Sequence, residues 1–519
     1  MIHLGGPRLA DIPDLDLASF TLRGAQQLGD KPALIDGASG RSLTYAELER
    51  SVRSMAAGLA TRGFAKGDTF GICMPNMPEF AVAFHGVVAA GGRCTTANPL
   101  YTAGELVHQL VDTNTRMLLT VPTFLEVARE AAAKADCELY VVGEAEGAIP
   151  FSALLGDPEA APRVVFDPVH DIAAILYSGG TTGLPKGVLL SHRNVIANLA
   201  EAGPAFGVTS DDVVIAVLPF FHVYGLNVIL NQALIAGATV VSLPRFELGP
   251  FLDLLERYRV TRGYVVPPIA LALVNDPAVE GRDLSALRHV LSAAAPLGVE
   301  LAEACERRIG CRVSQAYGMT EMSSATHVAP PFGDVRKPGS IGPPIPGTEC
   351  RLVDPDTGAD VAPGQPGELC LRGPHVMYGY LNNPEATAAM IDQDGWLRSG
   401  DIAVVDEDGW FTVIARVKEI IKYKGFQVAP AELEAILVGH PQVADCAVIG
   451  IADKDAGEIP KAFVVPAGDQ LDAESVLQFV RDRVAPHKRI RAIEVVEEIP
   501  KSPSGRILRR VLEERERSR

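Results

Sequence analysis

Between Thr44 and Arg62 the apolar residues Leu48, Val52, Met55, Ala56 and Leu59 recur at three- and four-residue intervals before Gly63. That spacing puts them on one face of a helix. The continuous apolar run Phe70-Gly-Ile-Cys-Met that follows predicts a buried strand. The same alternation recurs at Gly104–Val111, a short helix feeding the strand Met117-Leu-Leu-Thr, and at Ile172–Tyr177, a strand ending in a glycine-rich loop. Val188–Leu190 predicts the next strand, and a helix follows it, capped by Ser191 with Asn194 three residues on. Glycine and proline cluster between such elements as turn chemistry requires. Apolar runs alternating with amphipathic stretches predict an α/β architecture.

The texture changes between Asp401 and Lys424, where a polar turn at Asp406-Glu-Asp-Gly precedes the basic run Arg416-Val-Lys-Glu-Ile-Ile-Lys-Tyr-Lys-Gly. Beyond it, Glu432–Leu437 and Ala473–Val484 read as helices and Val443–Ile451 and Lys461–Val465 as strands. This predicts a large N-terminal α/β domain over 1–415 and a small α+β domain over 416–519. The charged end, Arg509–Arg519, reads as a solvated helix or frayed tail.

Composition narrows the function. The chain has 519 residues, 47% of them hydrophobic, enough for more than one packed core. Its 47 basic and 64 acidic residues leave a net charge of −17, so nucleic acid is an unfavourable partner. The N-terminus lacks a basic segment followed by an apolar core, and the longest apolar region, Val213–Leu243, is broken by Pro219, His222, Asn227, Asn231 and Gln232. A protein without a membrane span, in the cytoplasm, is the expectation. Eight scattered cysteines form no Cys-x-x-Cys pair and read as buried small hydrophobes in a reducing compartment. Pattern alone leaves the oligomeric state open.

The chemistry concentrates in Ser178-Gly-Gly-Thr-Thr-Gly-Leu-Pro-Lys-Gly187. Backbone N–H groups, three hydroxyls and one lysine are what a cradle for phosphate oxygens needs. It is not a Walker A loop, because Pro185 and Gly187 lead into a strand rather than straight into a helix.

This loop resembles the signature of the acyl-adenylate-forming enzymes, and further segments match that superfamily in order: Gln315-Ala-Tyr-Gly-Met-Thr-Glu321, Gly395-Trp-Leu-Arg-Ser-Gly-Asp401, Arg416–Gln427 and Pro500-Lys-Ser-Pro-Ser-Gly-Arg506. Pro219-Phe-Phe-His-Val-Tyr-Gly-Leu-Asn227 and Lys422–Glu434 resemble the 4-coumarate:CoA ligase branch. The resemblance implies a large N-terminal domain, a small mobile C-terminal one, and a site between them. It implies that ATP activates a small aryl or acyl carboxylate as an acyl-AMP, with Mg²⁺, and that coenzyme A then takes the acyl group as a thioester.

The resemblance also assigns residues. Ser178, Gly179, Gly180, Thr181, Thr182, Gly183 and Lys186 would hold the outgoing phosphates. Gln315, Ala316 and Tyr317 would flank the adenine, Thr320 would donate to the α-phosphate, and Glu321 would help hold Mg²⁺. Asp401 would accept both ribose hydroxyls, with Arg416 beside the nucleotide. His222 would border the acyl carboxylate and gate the thiol's approach. Tyr224, Ala293, Ala294 and Ala316 would line the acyl pocket. Relatives usually carry glycine at 293 and 316, so the added methyl groups favour a flat, sparsely substituted acid such as cinnamate. Arg245, Lys424, Gly425 and Phe426 would contact coenzyme A, Lys422 the acyl-adenylate or diphosphate, and Lys418 would be the hinge.

Two departures stand out. Arg506 occupies the place of a lysine that bridges carboxylate, ribose and α-phosphate, and a planar guanidinium does not replace a compact ammonium conservatively. Lys501, five residues earlier, is a candidate substitute. Ala415 stands where relatives have aspartate, which removes a partner of Arg416. Other readings are a medium-chain fatty acyl-CoA ligase, a luciferase-like monooxygenase, and a catalytically impaired acyl- or nucleotide-binding relative.

Overall fold

A computed structural model describes residues 1–519 apart from 7–10, 179–184, 425, 455, 469–470, 503–504 and 519. The helix expected at 44–62 is Tyr45–Thr61. It starts in a capping box, in which Thr44 Oγ1 accepts the N–H of Glu47 and the Glu47 carboxylate accepts that of Thr44. Its stripe from Leu48 to Leu59 is buried. The strand expected after it, Thr69–Ile72, runs parallel between Arg93–Thr96 and Thr115–Thr120.

Two eight-stranded sheets dominate the N-terminal part. In the first, Lys186–Ser191 pairs antiparallel with Ile172–Ser178, which lies parallel to Arg93–Thr96. In the second, Val213–Ala216, Arg262–Val265, His289–Ser292 and Arg312–Met319 lie side by side and parallel. One hydrophobic core, from Leu17 to Tyr380, fills the space between these sheets and their helices. A five-stranded antiparallel sheet includes Leu397–Val405 and Phe411–Arg416, with Asp401 opposite Arg416. The protein is thus a large α/β unit followed by a smaller α+β one, as the sequence predicts.

The C-terminal part builds its own sheet, centred on the hairpin Val443–Asp453 and Gly457–Pro466. Its two core clusters draw buried residues from Ile421 to Leu512. The structure departs from the sequence pattern at two places in this part. The helix expected over 473–484 ends at Arg481, because Pro486 disfavours helical backbone at Ala485 and the chain must turn before it. The charged C-terminal end is a helix, Arg509–Arg517, but it is not simply solvated. Leu512 is buried, and Arg509 is clamped between Glu419 at 2.8 Å and Glu434 at 2.6 Å.

Among the described residues no helix is long and apolar enough to cross a membrane. All eight cysteines are free, and six of them are buried.

Candidate active site

Parallel strands direct their C-terminal ends to one edge of a sheet, where an open crevice forms. Here that edge carries Ser178 from one sheet and the segment Gln315–Glu321 from the other. Strand Arg312–Met319 delivers its last residues into the crevice and passes into a single 3₁₀ turn, Thr320–Met322. Thr320 and Glu321 are both buried in that turn.

Glu321 joins the two sheets. Its Oε1 accepts the hydroxyls of Ser178 and Tyr380, each at 2.8 Å. Tyr380 lies on the edge strand Gly379–Tyr380 opposite Val188, and Lys186 Nζ sits 4.9 Å from the centre of its ring. Burial, then the Glu321 carboxylate, pushes the Tyr380 phenol far above its usual range. The phenol therefore stays a hydrogen-bond donor.

A second cluster forms around Asp401, which is 4% exposed. Tyr317 donates its hydroxyl to Asp401 Oδ2 at 2.5 Å, and Arg416 Nε lies 3.0 Å from Oδ1. Burial raises the Asp401 carboxyl above its ordinary value despite Arg416 and Tyr317. Burial also opposes the charge of Arg416, but Asp401, Glu419, Tyr317 and Glu321 together hold its pKa up. The carboxylate lost at Ala415 thus leaves Arg416 partnered by Asp401.

Arg506 reaches this cluster from the C-terminal part. Its guanidinium contacts Glu419 Oε1 at 3.4 Å and feels both Asp401 and Arg416. A Cβ on the preceding Gly505 would lie 3.0 Å from Val266 and 3.3 Å from Pro268, so this segment packs directly on the N-terminal part. Lys501 does not substitute for Arg506, because its ammonium is paired with Asp445 at 2.5 Å. Lys422 is not brought to the cluster either: it is exposed, on strand Ile421–Tyr423. Lys418 is exposed in the turn that joins that strand to Phe411–Arg416.

The apolar side of the crevice is built around a π-helix, Tyr224–Asn231. A Cβ on Gly225 would come within 2.0 Å of the Pro219 carbonyl oxygen, so only glycine lets this turn close on the preceding loop. His222, half-buried, accepts the Tyr224 N–H at Nδ1 over 3.2 Å, which leaves its proton on Nε2. Desolvation lowers the His222 pKa to about 4. The ring is therefore a neutral donor near pH 7. The Tyr224 hydroxyl reaches the carbonyl oxygens of Leu291 at 3.2 Å and Val265 at 3.4 Å. Ala293 and Ala316 are buried beside these strands.

Several expected residues are placed differently. Ala294 is exposed with φ +70°, a backbone that a Cβ disfavours. Gln315 clamps the backbone of Leu297, donating to its carbonyl at 3.0 Å and accepting its N–H at 2.9 Å. Arg245 lines a surface cleft and pairs with Glu247. Lys424 and Phe426 lie on the surface of the C-terminal part, Phe426 stacked on His487 at 4.5 Å. Gly179, Gly180, Thr181, Thr182, Gly183 and Gly425 lie outside the described residues.

Sequence reasoning missed Tyr380 and Glu419. Nothing local marks Tyr380, which meets Glu321 only through the fold. Glu419 did carry a signal, as the one acidic residue inside a basic run.

No described group of three or more acidic, histidine or cysteine side chains is poised to hold an ion. One buried carboxylate, Glu321, suits Mg²⁺ that arrives with phosphate and water ligands of its own.

The chain is 42% identical over 513 residues to a 4-coumarate–CoA ligase of Solanum tuberosum, covering 96% of this chain and 94% of that one. A 4-coumarate–CoA ligase of Petroselinum crispum is 41% identical, covering 96% and 93%. Among solved structures, ATP-bound MatB from Rhodopseudomonas palustris superposes with a TM-score of 0.88 at 31% identity, covering 96% and 99%. The anthranilate CoA ligase AuaEII with anthranoyl-AMP gives 0.89 at 28%, covering 97% and 98%. Residues 22–381 match the AMP-binding enzyme family and residues 432–506 its C-terminal domain, so the chain belongs to the AMP-binding enzymes.

Proposed function

We propose that this protein is an AMP-forming acid–CoA ligase that activates a flat aryl acid of the cinnamate or 4-coumarate type. The observation that carries the reading is that Glu321 ties Ser178 to Tyr380 and interacts electrostatically with Arg416, which with Tyr317 holds Asp401 where Arg506 also acts on it; Tyr224, Ala293 and Ala316 are buried apolar side chains that suit the acyl group. The names of its relatives support the substrate class.

In the first step a carboxylate oxygen attacks the α-phosphorus of ATP, the bond from that phosphorus to the bridging oxygen breaks, and pyrophosphate leaves. Negative charge gathers on the phosphates, so positioning and electrostatic stabilisation dominate. Lys186 and the glycine-rich loop hold the leaving phosphates, Thr320 donates to the α-phosphate, and Arg506 places positive charge beside Asp401. Asp401 accepts the ribose hydroxyls, and Tyr317 offers the adenine an aromatic face. Glu321 would hold Mg²⁺, which neutralises phosphate charge when bound. His222, neutral with its proton on Nε2, donates to the acyl carboxylate and orients it.

In the second step the coenzyme A sulfur attacks the acyl carbon, the bond to the AMP oxygen breaks, and AMP leaves as the thiol proton is lost. Residues 416–519 form a domain that turns about Lys418 and brings Lys422, Lys424, Gly425 and Phe426 toward the thiol's path. Arg245 meets the nucleotide end of coenzyme A. The free cysteines support a reducing, cytoplasmic setting.

The test is incubation with Mg-ATP and cinnamate, first without coenzyme A. Pyrophosphate and a mass-detected cinnamoyl-AMP are expected, followed on adding coenzyme A by AMP and the thioester. Absence of acid-dependent pyrophosphate would overturn the reading.

A further inference from the structure

The turn that presents Thr320 and Glu321 continues through two residues with unusual backbones. Ser323 has φ +59° and Ser324 φ +140°, and neither is glycine. Both are buried. Such conformations persist only where the surroundings over-determine them, and they cluster at functional sites.

Three groups hold this turn. Asn227 Nδ2 donates to the Ser323 carbonyl at 2.7 Å. Asn198 Nδ2 donates to the carbonyls of Ala325 at 2.7 Å and Met322 at 3.3 Å. The Ser323 hydroxyl donates to the His375 carbonyl at 2.9 Å. A Cβ on Gly318 would sit 2.0 Å from the Ser324 carbonyl oxygen, so the strand before the turn also leaves it room.

Asn227 is itself fixed. It lies on the π-helix, where Asn231 Nδ2 donates to Asn227 Oδ1 at 3.0 Å, and His85 Nε2 lies 3.1 Å from Asn231 Oδ1. Read as donations from His85 to Asn231, to Asn227 and to Ser323, this chain assigns every amide orientation consistently. All four side chains are buried. The same π-helix begins at Tyr224, beside His222. One element therefore carries the acyl wall at one end and the anchor of the Thr320–Glu321 turn one helical turn later. π-helical turns recur at functional sites because they re-aim side chains in this way.

The second anchor is equally enclosed. His375 Nδ1 lies 3.2 Å from Glu201 Oε2, its Nε2 lies 3.1 Å from Thr348 Oγ1, and both His375 and Glu201 are fully buried. A Cβ on Gly347 would approach Glu201 Oε1 to 2.0 Å, and one on Gly373 would approach the His375 ring to 2.7 Å. The backbone around the pair is thus fitted closely to its two side chains.

We infer that Asn227, seconded by the Glu201–His375 pair, is a positioning residue for adenylation that registers the strained Ser323 turn, and with it Thr320 and Glu321, against the acyl pocket. The inference rests on the reading of Thr320 and Glu321 as phosphate and cation groups. The nucleotide end and the acid end of the reaction then share one π-helix, whose Asn227 is held by a buried hydrogen-bond chain, and thioester formation from a finished adenylate does not need that chain.

The experiment uses Asn227→Asp, which keeps shape but loses the donor to Ser323, and Glu201→Gln, which keeps volume and hydrogen-bonding capacity should the first variant fold poorly. Each is assayed for acid-dependent pyrophosphate exchange across Mg²⁺ concentrations, and for thioester formation from supplied cinnamoyl-AMP. Glu321→Gln is run alongside. Asn227→Asp is expected to lower the adenylation kcat about 10- to 100-fold and raise the Mg²⁺ needed for half-maximal rate, with thioester formation within about threefold. Glu201→Gln is expected to lower adenylation about 3- to 10-fold with the same selectivity. Parallel loss of both half-reactions would reduce these residues to a general structural role, and unchanged adenylation would also overturn the inference. If Glu321→Gln itself leaves the Mg²⁺ dependence unmoved, the reading of the site fails instead.

Discussion

Replacing Asp401 by asparagine separates its two tasks. In the native protein the carboxylate receives Tyr317 and Arg416 on different oxygens, at 2.5 and 3.0 Å. Asparagine keeps one acceptor and puts an N–H₂ group on the other side, so one of these bonds is lost. Loss of a fully buried ion-pair partner costs about 3–5 kcal/mol. Arg416 is 35% exposed and keeps Glu419 nearby, so about 2 kcal/mol is the reasoned cost here. In a chain of this size that lowers the melting midpoint by only about 2 °C. Catalysis should suffer more. Charge-assisted hydrogen bonds from a ribose are worth about 1.5–3 kcal/mol each, so losing one predicts a roughly 10- to 100-fold fall in kcat/KM for ATP. The assay is pyrophosphate exchange with ATP and 3′-deoxy-ATP on both proteins. The native enzyme should discriminate strongly against the deoxy nucleotide and the variant weakly, a coupling that a purely structural aspartate would not show. Equal discrimination in both proteins would refute ribose recognition by Asp401.

Further consequences follow from particular residues. Ala316→Gly removes a buried methyl group beside the acyl wall, so kcat/KM for a dimethoxylated cinnamate should rise about 10- to 100-fold while that for cinnamate changes little; steady-state kinetics on both acids measures it. Ala294→Gly relieves a left-handed alanine at an exposed position and should stabilise the protein by about 0.5–1 kcal/mol in urea unfolding. Desolvation lowers the pKa of His85, His192 and His222 to about 4, and of His289 and His327 to about 3. These rings stay neutral in the fold while the unfolded chain protonates below about 6.5, so stability present above that pH is lost as pH falls toward 4. Each contributes up to about 1.4 kcal/mol per pH unit. A melting midpoint unchanged from pH 7.5 to 5 would contradict this.

Local rules made much of the fold legible. The cap at Ser191 and the stripe from Leu48 to Leu59 needed only neighbouring residues. Strands such as Ile172–Ser178 announced themselves as apolar runs. What stayed hidden depends on chain segments that meet only in three dimensions. Tyr380 finds Glu321 across 59 residues, and Glu419 finds Arg509 across 90. The C-terminal helix reads as solvated because its charges are visible in sequence while their buried partners, Glu419 and Glu434, are not. The π-helix at Tyr224–Asn231 is equally silent, since an apolar run with spaced asparagines fits several helical geometries. The roles of Asp401 and Thr320 came from ordered motif resemblance, as a lone aspartate or threonine carries no such signal.

In adenylation a carboxylate oxygen of the acid becomes bonded to the α-phosphorus. This step is tested most directly by supplying cinnamate labelled with ¹⁸O in both carboxylate oxygens, together with Mg-ATP and coenzyme A, and weighing the products. One ¹⁸O atom is expected in AMP, one in the cinnamoyl thioester, and none in pyrophosphate. Label in inorganic phosphate or pyrophosphate, or thioester formed with unlabelled AMP, would contradict this step.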